Sequence, residues 1–147
     1  MAVTVRAVVA VALALGVCGV ALPLIEDATA TRADAAGERA ADAIADAAAN
    51  LAESDATAGP GARQVVAVSL PEGPGSGVRA IAVGGIPGTA GRSVVAYRLD
   101  GGDWRVAARL PVRVDGDPLV VRGDARLTLR LHTADRGRVL RASAERL

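Results

Sequence analysis

Between Ser54 and Ala62 the sequence changes its period, and that break constrains the fold more than any other feature. The stretch Ser-Asp-Ala-Thr-Ala-Gly-Pro-Gly-Ala carries too much turn chemistry to continue a helix or a strand. Before it, Ala28 to Ser54 is mostly Ala, Asp, Glu and Arg with no Pro, a composition that favours helix. After it, apolar and polar residues alternate between Gly, Pro and Asp turns, at the spacing of about 8–12 residues typical of short-stranded β folds. The fold class expected is α+β: a long N-terminal helix, transmembrane and then exposed, followed by a small antiparallel β-rich domain.

The helix begins with an apolar run. Ala7 to Ile25 holds no charged residue, close to the ~20 residues that span a hydrocarbon core. The expected organisation is a leader at 1–6, a transmembrane helix at 7–25, an exposed amphipathic helix at 26–54, a linker at 55–62 and an antiparallel β domain at 63–147. A cleaved secretory signal, with an A-x-A site at Ala28-Thr29-Ala30, is the competing reading; the length of the run favours retention. Arg6 before the run and Glu26 with Asp27 after it set the N-terminus in the cytoplasm and the β domain outside. The expected location is therefore the cell membrane, with a single pass. Cys18, the single cysteine, lies within the run and has neither a disulfide partner nor a metal-ligand set around it.

Two lines run along the exposed helix. Gly37, Ile44 and Leu51 are seven apart and form a narrow seam of mostly small residues, suited to close helix–helix contact. Asp34, Glu38, Asp42 and Asp46, spaced by four, form an acidic line. Its counterpart lies in the second half. All 17 basic residues are Arg; residues 1–62 carry eight acids and three Arg, while residues 63–147 carry eight acids and fourteen Arg.

Strands are expected at Arg63–Leu70, Val78–Val83, Ser93–Leu99, Trp104–Val114, Leu119–Arg122, Arg126–His132 and Arg138–Ala142. Asp100-Gly101-Gly102-Asp103 gives the strongest hairpin signal. On the fourth segment Arg105, Arg109 and Arg113 share one parity, and on the sixth Arg126 and Arg130 alternate with Leu127, Leu129 and Leu131. An aliphatic face and an Arg-studded face follow. The five arginines and the four acids are the candidates for electrostatic docking, between the two halves or between neighbouring molecules. With no Phe, one Trp and one Tyr, the core must be aliphatic.

No catalytic, cofactor-binding or metal-binding residues emerge. The two Gly-rich stretches, Gly73–Gly77 and Gly84–Gly88, lack a Lys-Ser/Thr ending and read as turns. His132 is the one histidine, without a nucleophile or second ligand nearby in sequence. The near-absence of aromatic side chains removes the stacking platforms of nucleic-acid binders. No small-molecule substrate is inferred.

An apolar N-terminal helix that continues into an exposed helix carrying a β-rich head resembles the plan of type IV pilins and pseudopilins. The stretch Arg32-Ala33-Asp34-Ala35-Ala36 through Ala41–Ala48 looks like the post-membrane helix of Tad-type pseudopilin-like proteins. Leu22-Pro23-Leu24-Ile25-Glu26-Asp27-Ala28 and Ala62-Arg63-Gln64-Val65-Val66-Ala67-Val68-Ser69-Leu70-Pro71 are similar to an uncharacterised haloarchaeal family, whose members are thought to be encoded beside pilus or type II/IV secretion ATPase and membrane-platform genes. The resemblance implies a non-enzymatic, membrane-anchored accessory or structural subunit of a pilus or secretion-type surface machine, with other subunits and the membrane as partners. The alternative is a secreted or anchored β module that binds an envelope component or ligand through its Arg face.

Overall fold

The computed structural model describes residues 29–54, 62–70, 77–135 and 137–147. Among the described residues there is one helix, α1, at 29–54. The strands described after it are β1 (Arg63–Val68), β2 (Val78–Val83), β3 (Val94–Leu99), β4 (Trp104–Arg109), β5 (Arg113–Val114), β6 (Leu119–Val121), β7 (Ala125–Ala134) and β8 (Gly137–Arg146). They form two four-stranded sheets, ordered β1-β7-β8-β5 (sheet A) and β4-β3-β2-β6 (sheet B).

Alternation fixes which face of each sheet turns inward. On β7, Ala125, Leu127, Leu129 and Leu131 are buried while Arg126, Arg130 and His132 are exposed. On sheet B, Ile81 pairs with Tyr97 and Val83 with Val95, and all four are buried. These inward rows share one aliphatic cluster with Ala41, Ile44, Ala48 and Leu51 of α1. The helix is thus part of the core.

That packing corrects the expected long helix with a β head at its end. The small-residue seam has a partner, and the partner is the chain's own β domain. An ideal Cβ on Gly37 would stand 2.5 Å from Cδ2 of Tyr97, so the helix backbone lies against the aromatic ring where only glycine fits. One turn earlier the roles reverse: Gly77, at φ +90°, leaves room for Ala33. Ile44 is fully buried and Leu51 nearly so. A stripe of small residues suits a close helix–sheet approach as well as it suits a helix–helix seam, and heptad spacing does not say which.

No helix among the described residues is long and apolar enough to cross a membrane. The assignment of a single-pass membrane protein, with a cytoplasmic N-terminus and an extracytoplasmic β domain, is overturned on that finding. The helix that is described, α1, is amphipathic and spends its apolar stripe on the sheets. The run Ala7–Ile25 and the leader lie outside the described residues, as does most of the linker.

The segment expected as one strand, Trp104–Val114, divides at Leu110-Pro111-Val112. Proline has no N–H to give to a ladder, and beyond it the chain changes sheets, so β4 belongs to sheet B and β5 to sheet A. The β5 strand pairs in parallel with β8, a departure from a wholly antiparallel domain. The β7–β8 hairpin is also longer than expected, with ten residues on each strand. At the turn before β7, Asp124 ties the sheet ends together. One carboxylate oxygen accepts from Ser69 Oγ at 2.8 Å and from the Leu70 N–H at 3.1 Å, and its carbonyl accepts from the Leu147 N–H at 3.1 Å.

If the seam is internal, its loss weakens folding rather than association. Ile44→Ala should cost about 2–5 kcal/mol, and Gly37→Leu about 3 kcal/mol from overpacking. Urea unfolding at high ionic strength, where contacts between exposed charges are screened, checks both, and the midpoints should not depend on protein concentration, as they would if the apolar seam acted between chains.

Candidate functional site

The outer face of sheet A is built by register. Arg63 on β1 stands opposite Arg130 on β7, which stands opposite Arg141 on β8. Residues directly opposite in antiparallel strands have Cβ atoms about 4.5–5.5 Å apart, and like charges there are destabilising. One row thus places three guanidinium stems side by side on adjacent strands. Arg126 lies opposite Ala67 and Glu145, and Arg113 lies opposite Val139, which faces His132. Between these rows sit Val65, Thr128 and Ser143, of which Val65 is 51% exposed.

Arg141 donates to Asp115 Oδ2 at 3.1 Å. Among the described residues, Arg63, Arg113, Arg126 and Arg130 hold no ion pair. The face therefore carries five arginines against the carboxylates of Glu145 and Asp115. Such a surface produces a positive field over a flat, small-residue background.

The candidate docking residues divide among several places. Asp34 and Arg105 come together: Arg105 Nη1 donates to Asp34 Oδ1 at 2.8 Å. The Tyr97 hydroxyl donates to the same oxygen at 2.5 Å. Glu38, Asp42 and Asp46 are exposed on α1 and hold no ion pair among the described residues. Arg105 and Arg109 do not share a face. The β3–β4 register shifts between Val95 and Ala96, leaving Ala107 without a partner, so Arg105 sits opposite the inward Tyr97 and Arg109 opposite Val94. Arg113 has moved to sheet A with β5, where it joins Arg126 and Arg130.

Tyr97 was not legible as a site residue from its own neighbours in sequence. Burial first, then the hydrogen bond and charge of Asp34, and more weakly the charge of Glu38, push its hydroxyl above the ordinary tyrosine value; Arg105 opposes them. Arg63 and Arg141 were missed for a different reason: their place in the row depends on strand pairing, which parity along one strand does not supply.

Sheet B carries a second charged outer face. Arg98 and Trp104 are a cross-strand pair there, with the guanidinium carbon 5.3 Å from the ring centroid. They line a groove of about 440 Å³ together with Pro87, Val120, Arg122 and Arg146. Among the described residues there is no group of three or more His, Cys, Asp and Glu side chains placed to hold a metal ion.

These features define a small α+β domain with arginine-bearing outer sheet faces. The chain belongs to the family described as Domain of unknown function (DUF7311), whose model matches residues 4–145. No curated protein and no solved structure matches the chain. The family description assigns no activity, partner or location.

The alkaline titration of Tyr97 reads the α1–sheet B contact directly, because the chain has one tyrosine. With the folded-state value raised, stability is fully present below about pH 10 and is lost as pH rises from there toward the native value. Ultraviolet absorbance of the phenolate should give a midpoint above about 10. Asp34→Asn should lower it without bringing it fully back, since burial is the largest cause.

Proposed function

We propose that the protein is a non-enzymatic docking module that takes the acidic surface of a partner onto the outer face of sheet A, as a subunit of a larger assembly. The observation that carries this reading is the Arg63–Arg130–Arg141 row. A row of like charges on adjacent strands works against folding, and one carboxylate, Asp115, compensates one of its three members. Arginine's planar fork pairs with carboxylates in a bidentate manner and is enriched at protein interfaces. A flat sheet face with Thr128, Ser143 and Ala67 between the arginines admits a broad partner surface rather than a small ligand.

A second copy of the chain offers such a surface. Glu38 and Asp46 are eight residues apart on α1, which is about 12 Å along a helix. Arg126 and Arg130 are four apart on β7, about 13 Å along a strand. An α1 helix laid along β7 of a neighbour would bring these charges into register, with Asp42 near the middle of the span. Such contact joins two different surfaces, so it propagates head to tail and yields rings or filaments. This keeps the expected role as a structural or accessory subunit but changes the surfaces: the Gly37–Ile44–Leu51 seam is occupied within the chain, and the charged faces remain.

Sedimentation of the full chain at low ionic strength tests the reading. Wild type should self-associate and dissociate as salt is raised. Arg126→Glu with Arg130→Glu, and separately Glu38→Arg with Asp46→Arg, should each abolish association, and mixing the two double variants should restore it. Unchanged association of both variants would contradict the proposal. A monomeric wild type that still binds immobilised poly-glutamate through Arg130 would discard the second copy and keep the acidic partner. Arg130→Thr should leave the fold at least as stable as wild type while weakening either form of binding.

A further inference from the structure

We infer that the groove on the outer face of sheet B is a separate binding site for a doubly phosphorylated, sugar-sized ligand. Arg98 and Trp104 supply one end from β3 and β4, and Val120 supplies the other from β6. Ala80, Ala82 and Ala96 share this face of the sheet but are fully buried, so the groove is walled by the six residues of its lining and not floored by these alanines. Pro87, from the loop after β2, Arg122, just after β6, and Arg146, the last residue of β8, complete the rim. The volume of about 440 Å³ falls in the range of small-molecule sites, about 300–1,000 Å³.

Charge selects the ligand class. The groove gathers three guanidinium groups, and among the described residues none of them pairs with a carboxylate. The Arg98 guanidinium carbon stands 5.3 Å from the centroid of the indole ring, a cation–π contact that orders the group without using its in-plane N–H donors as hydrogen bonds. A dicarboxylate brings two charges and would leave one guanidinium uncompensated. Two phosphate esters bring about three to four charges and at least six acceptor oxygens. Pro87, Val120 and the Trp104 ring give an apolar wall that inorganic phosphate alone would not use, so the two phosphates need a carbon body between them. Arg98, Arg122 and Arg146 belong to neither the Arg63–Arg130–Arg141 row nor the acidic line of α1, so the inference stands apart from the docking reading.

Trp104 is the one tryptophan of the chain, and its fluorescence reports the groove without a label. Titrating the full chain with fructose bisphosphate should give a saturable change, with pyrophosphate and succinate each binding at least about tenfold more weakly. Arg122→Gln and Arg146→Gln should each weaken the bisphosphate by about tenfold, the loss expected for one charge-assisted contact. Arg126→Glu with Arg130→Glu should leave it unchanged. The inference is overturned by an equal response to sodium sulfate at matched ionic strength, by the absence of saturation, or by undiminished binding in the Arg122 and Arg146 variants. Succinate binding as tightly as the bisphosphate would overturn the phosphate assignment.

Discussion

The contact between the Gly37 backbone and the Tyr97 ring decides what the rest of this protein can do. It sets the distance of α1 from sheet B, and at that distance a glycine is required. The Tyr97 hydroxyl, bonded to Asp34, pins the ring from the helix side, and Arg105 closes on the same carboxylate oxygen from β4. From there Ala41, Ile44, Ala48 and Leu51 follow into the cluster shared with both sheets. In a chain with no Phe, this aliphatic cluster supplies the burial, and the helix contributes a full share of it. The apolar stripe of α1 is therefore spent before any partner arrives.

What the outer side of α1 and the outer face of sheet A present to solvent is chiefly charge. Sheet A faces outward with arginines placed opposite one another across three strands, and the exposed side of α1 carries Glu38, Asp42 and Asp46. Both are arrangements that a fold selected for stability alone would avoid, since like charges repel across strands and at four-residue spacing on helices. Their coexistence on opposite-signed surfaces of one chain gives the docking proposal its physical basis. The sheet B groove differs in kind. It is concave and partly apolar and holds the chain's one tryptophan, so it offers shape as well as charge.

Much of the β domain could be read from local chemistry. Asp100-Gly101-Gly102-Asp103 closes the β3–β4 hairpin as its turn residues require, with Gly101 at φ +69°. The alternation at Arg126–His132 assigns the inner and outer faces of β7 correctly, and the break after Ser54 separates α1 from β1. Pairing was not legible. Nothing along a single strand places Arg63 beside Arg130, moves β5 into the other sheet, or skips Ala107 so that Arg105 and Arg109 face opposite ways. The seam on α1 was visible as a seam, but spacing alone does not distinguish a partner within the chain from one outside it. That ambiguity led from a correct periodicity to an incorrect picture of an exposed rod.

The α1 helix is a docked element of the core, and its small-residue face is closed to other molecules. Amide hydrogen exchange of residues 37–51 tests it most directly. A docked helix should exchange its amides with the same protection as the central strand β7, so that both open together in the global unfolding reaction. Fast exchange of α1 under conditions that leave β7 protected would contradict the account, because it would return the Gly37–Ile44–Leu51 face to solvent and to partners.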